Sequence, residues 1–192
     1  MADLRSLAQP NARFAGDDGA PDPLTRAAIA RVRDHTSYIR AIVALCTSRL
    51  LMPIVATGDD SMDGPDPDRH AEMAAVTLQD ETGSYLLAFT GVDSMKEWDG
   101  SARPVPCLLD ELCATVKAAG AEQLLIDVAG PVAFVIAGEA LDLLADGNAL
   151  VEFEGEDFAW VKYADSTDAE QPGSDARDAS PSESDGQAPE RR

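Results

Sequence analysis

The run SYLLAFT, from Ser84 to Thr90, is apolar at both sets of alternating positions, with Tyr85, Leu87 and Phe89 in one set and Leu86 and Ala88 in the other. Successive side chains of a strand point to opposite faces, so this segment has no face suited to water. It reads as a central strand covered on both sides of its sheet. Its neighbours are short and locally connected. EMAAVTLQ, Glu72 to Gln79, precedes it across DETG, which has the length and glycine of a hairpin turn with a bulge. QLLIDVAG and VAFVIAG are two more strands parted by a Gly130-Pro131 turn. LLMPIVA, Leu50 to Ala56, is a further apolar run, and Pro53 places it at a sheet edge or a strand entry because proline has no N–H to give a ladder. ALVEF and FAWVKY make a last hairpin around Gly155.

Helical signals fall between these strands. Asp22 followed by Pro23 is a cap followed by the first helical position, and the helix extends to about Asp34. Ser37 caps a second helix, on which Ile39, Ile42, Val43 and Cys46 form one apolar stripe. Val92 to Trp98 is a short helix capped by Asp93. Leu109, Leu112, Cys113 and Val116 repeat on another, behind an Asp110 cap, and Gly120 ends it. Gly138 to Asp146 is the last, ended by Gly147. The fold class is α+β, a single domain in which helices pack a mixed β-sheet.

The organisation that follows is a flexible arm over residues 1–21, a helical segment over 22–48, the α+β domain over 49–163 and a tail over 164–192. The tail is acidic and has no large apolar side chain to bury, so it is expected to be disordered. Net charge is −20. Up to residue 50 there are seven arginines against five aspartates, a net of +2, which leaves −22 for the remainder. A balance this acidic argues against nucleic acid and anionic membrane as partners, both of which need a positive footprint. The basic amino-terminal helices are a possible contact for an acidic partner or for the chain's own domain. No secretory leader or membrane-length apolar run is present, and Cys46, Cys107 and Cys113 have no CxxC spacing. The expectation is a cytoplasmic, soluble protein with reduced thiols.

Few motifs carry chemistry. Asp59, Ser61, Asp63 and Gly64 match the start of a calcium loop, but its twelfth position is His70, with Glu72 two residues late, and Pro65 and Pro67 interrupt it. A solvated acidic loop is the better reading. His35 and His70 have no metal-binding spacing, and GxSxG, P-loop and GxGxxG patterns are missing. Cys46 and Cys113 lie on apolar helix stripes and read as core, while Cys107 is open. Asp127 ends a strand, where an aspartate either caps a turn or serves as an acid or base. Neither a catalytic residue nor a cofactor or metal site is expected. The remaining feature is the corner containing Trp98, Arg103, Pro104 and Pro106. Either Trp98 closes the core and the Pro-Val-Pro run is an edge strand, or a stacked aromatic and a forked cation anchor a partner there.

The segments EMAAVTLQDETGSYLLAFTGVDSMKEWDGSARPVP and QLLIDVAGPVAFVIAGEALDLLADG together resemble the SseB amino-terminal domain family, named for enhanced serine sensitivity, in its actinobacterial form. The resemblance runs from Leu50 to Gly147 and more loosely through FAWV. It implies an α/β domain, an intracellular location and a role in interaction or regulation, and it carries over no activity, cofactor or catalytic residue. The expected function is therefore a non-enzymatic domain for an unidentified protein partner. A small-molecule sensor or enzyme linked to serine metabolism is the alternative. Deleting everything after Ala164 is expected to leave the melting temperature unchanged in a thermal scan, and a fall of several degrees would show that the tail docks.

Overall fold

A computed structural model of the chain describes residues 12–56, 73–154 and 157–162. The acidic loop with the calcium-like pattern, most of the expected amino-terminal arm, Gly155 and the expected tail lie outside the described residues.

After a single turn at Ala12–Phe14 come α1 (Pro23–Ala30) and α2 (His35–Cys46). Asp22 caps α1 through the Leu24 N–H at 3.0 Å, with Pro23 in the first turn as expected. The helix stops at Ala30 rather than near Asp34, because Asp34 begins the next one. Its carboxylate accepts the Ser37 N–H at 2.8 Å, and Ser37 Oγ accepts the Asp34 N–H at 3.0 Å. Ser37 is thus the third residue of a reciprocal cap rather than the cap itself. Arg33 donates to the Ala30 and Val32 carbonyls at 3.0 and 2.6 Å, satisfying acceptors left at the end of α1.

The strands are β1 (Leu50–Ala56), β2 (Met73–Ala75), β3 (Thr77–Asp80), β4 (Gly83–Ala88), β5 (Arg103–Cys107), β6 (Gln123–Ile126), β7 (Phe134–Ile136), β8 (Asn148–Glu152) and β9 (Phe158–Lys162). The remaining helices are α3 (Val92–Trp98), α4 (Leu109–Ala118) and α5 (Gly138–Ala145). Gly120 ends α4 at a φ of +72°, but the expected caps of α3 and α4 differ. Gly91 and Leu108 hold those positions, and Asp93 and Asp110 fall in the first turns.

β4 pairs with β3 antiparallel and with β6 parallel, β6 pairs with β7 antiparallel, and β1 lies between β2 and β5. Leu51 and Phe89 join the two groups through reciprocal N–H···O bonds of 2.8 Å. The sheet is therefore mixed and continuous. Pro53 sits inside central strand β1, not at the edge or entry predicted for it. Since Leu51 directs its N–H and C=O toward Phe89, Pro53 points the same way, two residues on. The register of Ile54 opposite Ala75 puts Val76 opposite Pro53, and the Val76 carbonyl accepts from Leu87 N–H at 3.2 Å instead. The missing N–H falls where the strand partner leaves β1 for β4.

Both faces of β4 are covered. Leu86 and Ala88 join the larger core with Met52, Ile126 and Ile136 beneath side chains such as Ile42, Leu45, Leu112 and Leu141. Tyr85, Leu87 and Phe89 join a smaller one with Leu51 and Leu125, closed by Met95 and Trp98 of α3 and by Ala102. Cys107 and Cys113 are fully buried in the larger core, and burial pushes both thiols up, Cys107 to about 12. The β8–β9 hairpin packs on α2, where Arg40 pairs with Glu152 at 2.8 Å. Leu86→Ala and Leu87→Ala, on opposite faces of one strand, are each expected to cost about 2–5 kcal/mol in urea unfolding. A negligible loss for either would show that its face is open.

Candidate functional site

The helix α3 turns Trp98 back onto the smaller core, where its ring lies 5.7 Å from that of Phe89. Trp98 is half-buried, Pro106 is half-buried, and Arg103 and Pro104 are exposed. Strand alternation divides the corner. Pro106 opposes Leu51, so Pro104 and Pro106 lie on the face that Trp98 helps to cover. Arg103 shares its side of β5 with Val105 and Cys107, which enter the larger core on the other face. The Arg103 side chain has neither a hydrogen bond nor an ion pair among the described residues, while its backbone lies opposite Ile54 in the ladder with β1. The backbone of this edge is blunted as well. Because Leu51 spends its own N–H and C=O on Phe89, its partner Pro106, and Pro104 with it, point theirs outward, and both lack the N–H that an added strand requires.

A second constellation lies where the parallel strands β4 and β6 end. Asp127 leaves β6 with φ +55°, the one non-glycine residue in the left-handed region among the described residues. The turn is tight: a Cβ on Gly130 would fall 2.7 Å from Asp127 Cβ, while the Gly130 N–H donates to the Asp127 carbonyl at 2.8 Å. The Asp127 carboxylate is 2% exposed. It accepts the Thr90 N–H at 2.9 Å, the Thr90 hydroxyl, and the Ser94 hydroxyl at 2.6 Å. A buried carboxylate survives only with such compensation.

Arg26 of α1 completes the cluster. Its two terminal nitrogens donate to Asp93 Oδ2 and Oδ1 at 2.6 and 2.7 Å, and its Nε donates to Thr90 Oγ1 at 2.8 Å. Nε also stands 4.0 Å from Asp127 Oδ2. The hydrogen bond from Arg26, first among the causes, holds the Asp93 carboxyl below its ordinary value, and the same bond raises the guanidinium. Arg49 grips from the other side, with its guanidinium on the Thr90 carbonyl at 3.1 Å, the Ala20 carbonyl at 2.6 Å and Asp17 at 2.8 Å. Asp22 accepts the Thr25 hydroxyl at 2.8 Å, and Thr25 in turn pairs with Ser48. The bond from the Thr25 hydroxyl, the largest cause, lowers the Asp22 carboxyl.

His35 is exposed. Among the described residues no group of three or more His, Cys, Asp or Glu side chains is placed to hold a metal. The sequence around Asp127 points to a strand end with either a turn cap or an acid or base, and to no partner for it. Thr90, Ser94, Asp93 and Arg26 come from separate elements, and nothing in their local sequence joined them.

A family model described as SseB protein N-terminal domain matches residues 25–142, a span that includes Arg26, Asp93, Asp127 and the Trp98–Pro106 corner. No curated protein and no solved structure matches the chain.

Asp127→Asn places an amide where only acceptors fit and is expected to cost about 2–4 kcal/mol in urea unfolding; unchanged stability would remove Asp127 from any organising role. Asp93 contributes stability that is fully present above its unfolded pKa, ordinarily 3.8, and lost as pH falls through its lower folded value. Asp93→Asn is therefore expected to be less stable at neutral pH and to lose stability less steeply below about pH 4. Parallel stability-versus-pH curves for the variant and the parent would contradict this.

Proposed function

Since the chain belongs to the SseB family, we propose that it is a non-enzymatic interaction or regulatory domain working in the cytoplasm, with the corner of Trp98, Arg103, Pro104 and Pro106 as its contact surface. The observation that carries the reading is a free arginine beside an exposed proline on an edge closed to strand addition. A partner engaging this edge uses side-chain contacts, and a guanidinium fork next to a proline surface suits a protein partner carrying a carboxylate. Trp98 gives the corner its rigidity through Phe89 on the face opposite Arg103, and its half-exposed ring adds contact area for a partner that wraps the edge.

A small-molecule sensor or enzyme linked to serine metabolism is the second reading. One observation favours it: parallel strands β4 and β6 end together at Asp127, and ligands of open α/β sheets gather at such carboxyl ends. A ligand at 100 times its Kd adds about 2.7 kcal/mol of stability, so a thermal-shift screen of amino acids and their derivatives separates the two readings.

The direct test of the first is affinity purification from native lysate with the intact protein and with Arg103→Ala. Since Arg103 is exposed, the variant is expected to keep its melting temperature and to lose one abundant partner. Full retention of every partner by a folded Arg103→Ala protein would make the corner structural. Trp98→Ala is a poorer first probe, because losing the Phe89 contact is expected to cost about 1–3 kcal/mol by itself.

A further inference from the structure

The acceptors that hold Arg26 are built without it. Thr90 spends its hydroxyl hydrogen on Asp127, and the Ser94 hydroxyl stands 2.6 Å from Asp127 and 3.1 Å from the Gly91 carbonyl, so both oxygens keep lone pairs for Arg26. A hydroxyl has one hydrogen to give, and with that hydrogen spent both side chains are acceptors toward Arg26. Asp93, in the first turn of α3 and with its side chain 57% exposed, presents both carboxylate oxygens to the same place. The result is a set of acceptors around one guanidinium: two oxygens of Asp93, the Thr90 hydroxyl, the Ser94 hydroxyl at 3.2 Å, and the Asp127 carboxylate behind them at 4.0 Å. All three nitrogens of a guanidinium find partners here, a match that an ammonium cannot make with one nitrogen.

The helix that carries the present occupant is held to the domain through Thr25, Ile29 and Arg26 itself. Within α1 only Thr25 and Ile29 are buried, and Leu24 is 78% exposed. We infer that Asp93, Thr90 and Ser94, oriented by Asp127, form a guanidinium-binding site whose intramolecular occupant, Arg26, exchanges with an arginine side chain or another alkylguanidinium from outside as α1 lifts. Asp127 acts as a positioning residue in it. The inference is independent of the Trp98–Arg103 corner and stands or falls separately from it.

The test uses the full chain with Arg26→Ala, and with Arg26→Lys in case the alanine variant fails to fold. Each is melted with ethylguanidinium chloride and, at equal concentration, with ethylammonium chloride. The expected result is that about 20 mM ethylguanidinium raises the melting temperature of the variant, that ethylammonium does not, and that adding Asp93→Asn abolishes the gain. Equal effects of the two salts would overturn the site. Free L-arginine and N-acetyl-arginine amide, each compared with its citrulline counterpart, separate a free amino acid from a peptide arginine as the source. In the parent protein, ethylguanidinium but not ethylammonium is expected to speed amide hydrogen exchange in residues 22–31; identical exchange in the two salts would overturn the exchange of occupants.

Discussion

The carboxylate of Asp127 is the constraint on which the arrangement of this domain depends. It lies just after β6, buried and turned into a left-handed conformation, and it binds Thr90, two residues beyond β4, and the helix that follows. Unpaired, a charge at that depth would be strongly destabilising, so Thr90 and Ser94 are held in place. Their orientation in turn decides where Arg26 goes, and Arg26 carries α1 with it. Arg49 works on the same point, joining the Thr90 carbonyl to the segment around Asp17 and Ala20. Two arginines from the basic part of the chain thus converge on one threonine of the acidic part. The approach is close enough that a Cβ on Gly91 would fall 2.8 Å from Pro21 Cδ.

The edges of the sheet are closed by different means. Pro104 and Pro106 remove the donors of β5, and Tyr38, stacked on Phe134, gives its hydroxyl to the Val135 carbonyl of β7 at 3.0 Å. Exposed strand edges invite pairing with other chains. Here the first edge leaves side chains as the means of contact, which is why Arg103 and the prolines are the residues to test. No helix among the described residues is long and apolar enough to cross a membrane.

Local signals in the sequence were the ones that could be read. Period-two apolarity in β4, the Asp22-Pro23 cap, the stripe of α4 with Gly120 and the final hairpin all arise within a few residues. The break at Val76 and the placing of Pro53 were hidden, because both depend on which strand pairs with which. Asp93 looked like a cap because an aspartate near a helix start usually is one. Its actual partner, Arg26, is 67 residues away and belongs to another element. Asp127 reads from sequence as a strand-end aspartate, for a turn or for acid–base work, but its link to Thr90 spans 37 residues and leaves no periodic trace. At the corner left open between a structural and a binding role, alternation along β5 turns Arg103 to one face and Pro104 and Pro106 to the face that Trp98 covers, a division set by the pairing of β5 with β1.

The most direct test of the Asp127 junction is a double-mutant cycle of Asp127→Asn and Arg26→Ala, measured by urea unfolding of the two single variants, the double variant and the parent. If Asp127 organises the acceptors that seat Arg26, the two losses are expected to fall short of additivity by about 1 kcal/mol or more. Losses that add to within about 0.5 kcal/mol would show that α1 is held independently of Asp127, contradicting the account.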